Sequence, residues 1–565
     1  MARRPVREDQ RRIAYFTMEI ALDPAIPTYS GGLGVLAGDT IKSAADLGVA
    51  TVAVTLLQRR GYFVQSLDPV DGQREAPAAW QPDDQLVPLE PTVHVAIEGR
   101  PVEVRAWLRE VAGEGGFTVP VLFLDTDLSS NSDADRALCG TLYGGDARYR
   151  LCQELVLGVG GARMLDRLGF RGLRRYHLNE GHAALCTLEL ARRHNYERPA
   201  ADWQFDETRA ACVFTTHTPV PAGHDQFSRD LVDQVLGDLV PRAVLDRVAG
   251  PECLNMTALA LELSSYVNGV ARRHAEVSRE MFPGYGIHHV TNGVHSRTWT
   301  APDLAGLYDE HLPGWAADPF LLRNAARIPN DALWPAHTRA KAALLAEVRA
   351  RTGQALDPEA LTIGFARRAT PYKRADLIFS DLDRLRDAVR RGGPLQLVFA
   401  GKAHPRDEGG KGLIRRILAV ARELGRELPV VYLADYDMAL GRTLVAGVDL
   451  WLNTPERPLE ASGTSGMKAA HNGVPSLSCL DGWWVEGHVE GVTGWSIGPA
   501  TPLPVSEANG VDADDLYDKL AGVIGPLYHR RRDDWIAVMK NAIALNASFF
   551  NTHRMVQQYV TDAYL

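Results

Sequence analysis

The chain has 565 residues, more than a single hydrophobic core usually supports, so we expect two or more domains. Hydrophobic residues make up 45% and charged residues 23% of the sequence, which excludes disordered and fibrous classes of protein. The formal net charge of -9 argues against a nucleic-acid partner, and no apolar run reaches membrane-spanning length. The 6 cysteines form no CxxC pair, so we expect reduced thiols in a cytoplasmic protein.

The first half of the chain alternates short apolar runs, rich in β-branched residues, with helical patterns. The predicted strands are RIAYFTME, VATVAVTLL, VPVLFLDTD, RYHLNE, CVFTTHT and HHVTNGV. A long apolar helix is predicted from about Ala147 to Leu168, and its glycines indicate close packing against neighbouring elements. Two polar stretches, Asp68 to Pro91 and Leu128 to Arg136, are predicted to be exposed loops.

The second half repeats the pattern. Its predicted strands are LTIGFARR, LQLVFAGKA, PVVYLAD, VDLWLNT and VPSLSCL. Two such series predict an α/β fold with two Rossmann-like domains that face each other across a central cleft. We expect an N-terminal domain over residues 1–325 and a C-terminal domain over residues 326–540. The closing helical segment, residues 541–565, is predicted to pack back on the N-terminal domain.

A run of cations follows the first strand of the second series, in FARRATPYKRADL. Arg367, Arg368, Lys373 and Arg374 fall within this stretch, and no acid interrupts it. A solvated charged face is the ordinary explanation of such a run. Because open α/β sheets bind ligands at the carboxyl ends of their strands, we favour a phosphate site. Arginine offers phosphate a bidentate fork and lysine offers a point charge.

Glycine-bearing turns and histidines supply the other candidates. The turn SGGLGVLAGD lacks the third glycine of the dinucleotide fingerprint, so it does not indicate NAD. In EASGTSGMKAAHNG, Lys468 could pair with an anion or bond covalently to the group that carries it. His217 follows a predicted strand and is either a core histidine or a cleft residue. The spacing of His177 and His182 does not match a helix-borne metal pair, so we predict no metal site.

Together these motifs resemble the α-glucan phosphorylases, the glycogen, starch and maltodextrin phosphorylases, in order from YFTMEI to THRMVQQYV. The resemblance implies a GT-B fold, pyridoxal 5′-phosphate as cofactor, and retaining phosphorolysis of α-1,4-glucan or maltooligosaccharide by inorganic phosphate to α-D-glucose 1-phosphate. The chain looks like a compact bacterial-type form. No nucleic-acid or membrane partner is implied, and a homodimer is the assembly that the resemblance suggests.

The resemblance also implies roles residue by residue. Lys468 would hold the cofactor as a Schiff base, with Trp299 packed near its ring. The residues around the cofactor phosphate would be Thr464, Ser465, Tyr436, Arg367 and Lys373. Substrate phosphate would lie on Arg368, Lys373 and the glycine turn at Gly31 and Gly32. The residues that hydrogen-bond the glucosyl unit would be His217, Asn292, Glu460, Ser462 and Gly463. The catalytic set is then Lys468, Arg368, Lys373 and His217.

Two other functions remain open. The first is a nucleotide-sugar glucosyltransferase of GT-B fold without pyridoxal phosphate. Such enzymes often carry two glutamates separated by seven residues, whereas here Glu460 is followed at that spacing by Lys468, which tells against this alternative. The second is an inactive glucan-binding homologue. Thr370, Pro371 and Ala21, which replace residues typical of the family, keep that alternative open.

Overall fold

The computed structural model describes residues 8–220, 223–501 and 503–565. Its strands are β1 (Ile13–Thr17), β2 (Thr51–Leu56), β3 (Val64–Asp68), β4 (Gly72–Ala76), β5 (Val87–Ile97), β6 (Arg100–Ala112), β7 (Thr118–Asp125), β8 (Arg175–Asn179), β9 (Cys212–Thr215), β10 (Gln226–Ser228), β11 (Cys253–Asn255), β12 (Tyr266–Gly269), β13 (Ile287–His289), β14 (Leu361–Ala366), β15 (Leu395–Ala400), β16 (Val430–Leu433), β17 (Leu450–Asn453), β18 (Ser476–Cys479) and β19 (Gly494–Ile497).

The helices are α1 (Gly32–Asp46), α2 (Asp133–Arg136), α3 (Ala147–Leu155), α4 (Gly161–Arg167), α5 (Leu185–His194), α6 (Asp206–Ala211), α7 (Arg229–Leu236), α8 (Arg242–Ala249), α9 (Met256–Glu262), α10 (Arg272–Met281), α11 (Ser296–Trp299), α12 (Pro302–His311), α13 (Asn330–Thr352), α14 (Leu382–Gly392), α15 (Glu408–Leu424), α16 (Met438–Gly447), α17 (Ser465–Ala470), α18 (Trp484–Gly487), α19 (Val505–Lys519), α20 (Gly525–Arg530), α21 (Arg532–Asn541) and α22 (Thr552–Tyr559). Within the described residues, none of these helices is long and apolar enough to cross a membrane.

Unit 1 comprises the chain up to Phe63, Pro77–Val290 and Met555–Leu565. Its main sheet has the strand order β13-β12-β9-β8-β1-β2-β7-β6-β5. The strands from β13 to β7 are parallel, and β6 and β5 extend the sheet in antiparallel fashion. At its centre Phe16 of β1 lies opposite Val54 of β2 and Leu178 of β8. Strands β1 and β2 are buried at every residue, which explains why the sequence shows them as continuous, mainly apolar runs.

The long helix predicted from 147 to 168 is confirmed. Helix α3 continues through a π-helical segment, Val156–Gly160, into α4. Its glycines permit close contact, as expected: a Cβ on Gly161 would lie 2.7 Å from Cε1 of Phe16. A Cβ on Gly158 would lie 2.5 Å from the backbone nitrogen of Cys186. This helix therefore packs directly against the central strand of unit 1.

Unit 2 comprises Val64–Ala76 and Thr291–Arg554. Its main sheet is parallel throughout, with the strand order β16-β15-β14-β17-β18-β19. Leu304, Leu322 and Ile328 share a buried cluster with Ile363 of β14, which is why the chain after residue 290 belongs to this unit. The sequence had placed that boundary at residue 325. Both units are mixed α/β with mainly parallel sheets, as predicted.

Two further segments differ from the sequence prediction: the closing segment, residues 541–565, and the loop predicted from Asp68 to Pro91. Residues 555–565 lie in unit 1, where Met555 and Tyr559 pack against Leu36 and Val213, whereas residues 541–554 lie in unit 2. The prediction of an exposed loop from Asp68 to Pro91 is wrong in part, because β4 and the start of β5 lie within it. Strands β3 and β4 form an antiparallel hairpin that belongs to unit 2. Their polar composition hid the pairing from the sequence pattern.

Candidate active site

The stretch EASGTSGMK forms a turn after β17 that leads into α17. The backbone N–H of Glu460 donates to Oδ2 of Asp481 at 2.8 Å. Gly463 has a φ of +85°, a conformation that favours glycine. A Cβ on Gly466 would lie 2.7 Å from Cζ2 of Trp483, so the indole requires a glycine there. The small residues of the motif therefore let the chain turn sharply against Trp483, with Glu460 at the start of the turn and Lys468 in the helix that follows it.

Glu460 is paired with two cations that were predicted to bind phosphate. Nη2 of Arg367 donates to Oε1 of Glu460 at 2.8 Å, and Nζ of Lys373 lies 2.7 Å from Oε2. Arg367 also donates to Oδ1 of Asn453. Burial alone would raise the pKa of Glu460, but Arg367 and Lys373 lower it to about 2. Glu460, Arg367 and Lys373, here called the charged trio, carry a net positive charge.

The other two arginines of the cation run have different surroundings. Nη2 of Arg374 lies 2.7 Å from Oδ2 of Asp512 and also donates to the carbonyl of Pro455 at 2.9 Å. Its Nε donates to the carbonyl of Thr454, so the guanidinium is committed to the protein interior. Arg368 is exposed. Of the run considered for phosphate, Arg374 serves the structure of the loop, and Arg368 is the arginine that solvent reaches.

Lys468 is 5% exposed and lies in α17 with its Nζ 3.8 Å from the ring centroid of Trp299. Asn472 fixes this arrangement. Its Nδ2 donates to the carbonyls of Trp299 at 2.8 Å and of Lys468 at 3.0 Å, and its Oδ1 accepts the N–H of Ala301. The side chain of Asn472 therefore ties α17 to the end of α11. The structure brings together the lysine and the tryptophan that the sequence assigned to one site.

The remaining candidates in unit 2 are polar groups at strand and helix ends. Tyr436 follows β16, and burial raises the pKa of its hydroxyl to about 12. Thr464 is the N-cap residue of α17, and the hydroxyl of Ser465 accepts a hydrogen bond from Nε1 of Trp451 at 3.1 Å. Within the described residues, no hydrogen-bond partner reaches the buried Oγ of Ser462 or Oδ1 of Asn292. The amide oxygen of Asn292 can accept a hydrogen bond from a ligand, and the hydroxyl of Ser462 can donate or accept one, without breaking a protein contact.

These residues fit a phosphate-bearing aldehyde cofactor. The buried amine of Lys468 can condense with an aldehyde, and the indole face of Trp299 can lie against a flat ring. The net positive charge of the charged trio suits a phosphate. Thr370 adds a buried hydroxyl that, in the described part of the chain, has no partner. The donor set therefore suits a ligand that carries both an aldehyde and a phosphate.

In unit 1, the glycine turn opens α1. Gly31 is the N-cap residue and Gly32 the first residue of the helix. Glu19, which the sequence did not single out, holds this turn: its Oε2 accepts the N–H of Ser30 at 2.6 Å, and its Oε1 accepts the hydroxyl of Tyr143 at 2.8 Å. A Cβ on Gly32 would meet no described atom within 4 Å. The backbone at Gly32 is therefore open to approach by a ligand.

His217 lies just beyond β9 and is held by two residues of the HLNEGH stretch. Its Nε2 lies 2.6 Å from Oδ1 of Asn179, and its N–H donates to Oε2 of Glu180 at 2.8 Å. Burial lowers the pKa of His217 to about 3, and His274 adds to the effect. The imidazole is therefore neutral near pH 7 and acts through hydrogen bonds. Glu180 was missed because it lies 37 positions away, in a separate motif.

Glu154, His182 and Asp225 place one ligand-type atom each within 4.8 Å of one another in unit 1. Arg150 occupies this cluster. Its Nε donates to Oε1 of Glu154 at 2.9 Å, and its Nη2 donates to Oδ2 of Asp225 at 3.0 Å. The guanidinium thus balances the charge of Asp225, while burial raises the pKa of Glu154 well above its ordinary value. The cluster is accounted for by an ion pair.

Asp481 provides a prediction on pH dependence. Burial raises its pKa to about 7, with the charge of Glu460 adding to the rise and the two backbone donors opposing it. An unfolded aspartate titrates near pH ~4, so the native state holds the proton more tightly between about pH 4 and 7. The stability that Asp481 contributes is therefore present below that range and is lost as the pH rises through about 7.

We expect Asp481→Asn, which cannot ionise, to flatten the decline of thermal stability across this range. Thermal denaturation at a series of pH values measures the slope. Asp133→Asn is the matched control, because that carboxylate is fully exposed. Equal slopes in wild type and Asp481→Asn would show that Asp481 does not titrate there.

Comparison with known proteins identifies the family of the chain. A family model described as carbohydrate phosphorylase matches residues 242–492. The maltodextrin phosphorylase of Thermococcus litoralis is 38% identical over 98% of this chain and 70% of its own length. The glycogen phosphorylase of Mycobacterium tuberculosis is 36% identical over 98% of this chain and 70% of its own length. That of Aquifex aeolicus is 35% identical, over 98% and 86% respectively. The family resemblance of the motifs is thus confirmed: the chain belongs to the carbohydrate phosphorylase family.

Proposed function

We propose that this chain is an α-1,4-glucan phosphorylase of GT-B fold. It transfers a glucosyl unit from the end of a maltodextrin or glycogen-type chain to inorganic phosphate, with retention, and releases α-D-glucose 1-phosphate. The observation that carries the proposal is the charged trio, Glu460 with Arg367 and Lys373, together with the buried Lys468 in the helix that follows Glu460. Family membership supports the same reaction.

The proposed cofactor is pyridoxal 5′-phosphate. Lys468 would hold it covalently, and Trp299 would lie against its ring. The residues that would hold its phosphate are Arg367, Lys373, Tyr436, Thr464 and Ser465. When bound, the group supplies a phosphate whose second pKa near 6 lets it exchange a proton close to neutral pH. The protein's task is then to keep two phosphates side by side.

The cations answer that electrostatic problem. Two unit negative charges about 5 Å apart repel by roughly 3 kcal/mol at an effective dielectric constant near 20. Arg367 and Lys373 are buried or nearly so, where a charge is screened less by water and acts more strongly on a neighbour. Arg368, on the same loop but exposed, would take the phosphate that enters from solvent. Anchored cations of this kind also stabilise charge that develops in the transition state.

Glu460 and His217 would position the sugar. The pKa of Glu460, lowered to about 2, keeps it an ionised acceptor for sugar hydroxyls. The sequence offered no second carboxylate beside it, whereas the structure places Asp481 there. Because Asp481 accepts backbone N–H groups at both oxygens, it supports the loop and is not free to complete the paired acids of a glycosidase. Neutral His217 would hydrogen-bond the transferred unit.

The test is phosphorolysis itself. The purified protein is incubated with inorganic phosphate and maltooligosaccharides of increasing length, or with glycogen, and α-glucose 1-phosphate is followed by phosphorus NMR. We expect product that depends on phosphate and carries the α configuration. Transfer from a nucleotide sugar without phosphate would replace the proposal with the glucosyltransferase alternative. Glucan binding without any product would indicate an inactive homologue.

A further inference from the structure

The β3–β4 hairpin of unit 2 comes from the N-terminal part of the chain and presents two buried glutamines. Gln65 is 2% exposed and Gln73 is 6% exposed. They bond each other, with Nε2 of Gln65 donating to Oε1 of Gln73 at 2.8 Å. A buried amide costs free energy unless it is hydrogen-bonded, so the partners of these side chains define what the hairpin does.

Both glutamines bond the backbone that follows β15. Nε2 of Gln65 donates to the carbonyl of Gly401 at 2.9 Å. Gln73 pairs with Ala403 in both directions: its Nε2 donates to the carbonyl, and its Oε1 accepts the N–H, each at 2.9 Å. Such a reciprocal amide pair fixes both distance and orientation. The chain from Gly401 to Ala403 is therefore held by the hairpin.

That segment in turn holds the loop of the cation run. The N–H of Arg367 donates to the carbonyl of Ala400 at 3.2 Å, and the N–H of Ala369 donates to the carbonyl of Lys402 at 3.0 Å. The contact is close, because a Cβ on Gly401 would lie 1.9 Å from the carbonyl oxygen of Arg367. A shift of the segment after β15 would consequently move the backbone that bears Arg367 and Arg368.

Gln65 also reaches the residue before Tyr436. The N–H of Gln65 donates to Oδ1 of Asp435 at 3.0 Å, and the N–H of Asp435 donates to Oε1 of Gln65 at 2.9 Å. Asp435 has a φ of +55°, an uncommon conformation for a residue other than glycine, and Lys402 pairs with its carboxylate at 2.7 Å. The side chain of Gln65 thus connects the segment after β15, which holds the loop of Arg367, to the strand end that carries Tyr436.

We propose that the β3–β4 hairpin is a positioning element for the cofactor phosphate, acting through Gln65 and Gln73 on the loops that bear Arg367 and Tyr436. The inference rests on the proposed function, since it names residues that support the same site. Neither glutamine needs to contact the cofactor itself. Their effect is to preset the spacing of phosphate donors that lie on different strand ends, which lowers the cost of ordering them on binding.

The test separates the phosphate from the rest of the cofactor. Protein freed of cofactor is titrated with pyridoxal 5′-phosphate and, separately, with pyridoxal, which lacks the phosphate. Absorbance reports condensation of the aldehyde with the lysine. The dissociation constant of pyridoxal divided by that of pyridoxal 5′-phosphate measures how much the phosphate site contributes to binding. Gln65→Met keeps the approximate volume of the side chain and removes the hydrogen bonds of its amide group.

We expect Gln65→Met to reduce this ratio by at least about tenfold, because the three hydrogen bonds of the Gln65 side chain, to Gln73, Gly401 and Asp435, are lost. Pyridoxal itself should bind as in wild type. Arg74→Ala is the matched control on the same hairpin, since the side chain of Arg74 is 60% exposed and, among the described residues, forms ion pairs only with Asp68 and Asp71. Its ratio should equal that of wild type.

A ratio in Gln65→Met within about twofold of wild type would overturn the inference and leave the proposed function intact. If Gln65→Met does not fold, Gln73→Met is measured in the same way, and an unchanged ratio there has the same meaning. A wild-type protein that does not prefer the phosphorylated form would instead overturn the proposed function, and this inference with it. Melting temperatures of all variants establish that the measured proteins are folded.

Discussion

Lys468→Ala is expected to abolish phosphorolysis, with a loss of at least about a thousandfold in rate, equivalent to roughly 4 kcal/mol of barrier. The expected loss follows from the loss of a covalent bond. Lys468 is the lysine of the stretch EASGTSGMK, and its buried amine, which lies over Trp299, can condense with an aldehyde. Release of glucose 1-phosphate measures the activity. Absorbance of the lysine–aldehyde linkage measures cofactor attachment, and both should vanish together.

Lys468→Arg separates the covalent role from an electrostatic one. It keeps the positive charge but cannot form the same linkage, so it should fail as completely as alanine if the amine is the anchor. Should Lys468→Arg retain activity, the residue would be acting as an ion-pair partner, the alternative that the sequence left open. Lys540→Ala, a lysine on α21 in the same unit, is the control and should behave as wild type. Mass spectrometry after reduction would locate the modified lysine directly.

Most of the strands that could be predicted are buried on both faces. IAYFT and LTIGFA are buried at every position and are mostly apolar, so they are visible as runs without any alternation, and both are strands of the parallel sheets. Strands β5 and β6 were missed for the opposite reason. Their burial alternates, with charged residues such as Arg105 and Glu110 interspersed, and their pairing is antiparallel. A half-exposed strand carries a weaker apolar signal than a fully buried one.

In the candidate site, the residues that lie within one motif could be predicted from the sequence. The residues that hold them in place through hydrogen bonds could not be predicted. Glu460 and Lys468 lie in a single short stretch whose glycines announce a special backbone. Asp481 lies 21 positions from Glu460, and Gln65 lies 370 positions from Asp435. No local pattern encodes such pairs, because they exist only once the sheet has brought strand ends together. Arg374 shows the opposite case. It belongs to the cation run and was a candidate for binding phosphate, but it is buried in an ion pair with Asp512 of α19, which is distant in the sequence.

Asp449→Asn is expected to destabilise unit 2 by about 3–5 kcal/mol, the range for breaking a buried ion pair by removing one partner. Asp449 is 1% exposed, and its Oδ2 lies 2.7 Å from Nζ of Lys341, itself 3% exposed. Its Oδ1 lies 2.9 Å from Nε2 of His337, and its Oδ2 also accepts the N–H of Thr362 at 2.8 Å. The asparagine would leave the ammonium of Lys341 without a counter-charge in the core between α13 and the sheet.

Urea denaturation followed by tryptophan fluorescence measures this effect, because most of the 11 tryptophans lie in unit 2. Arg339→Ala is the control on the same helix. Its pair with Asp303 is exposed, and such pairs contribute less than about 1 kcal/mol.

Burial would raise the pKa of Asp449, but Lys341 and His337 lower it overall. The carboxylate's contribution is therefore complete above about pH 4 and is lost as the pH falls through the lowered value, so the difference between wild type and Asp449→Asn should shrink in acid. A variant no less stable than Arg339→Ala at neutral pH would mean that Lys341 does not depend on Asp449 for its charge.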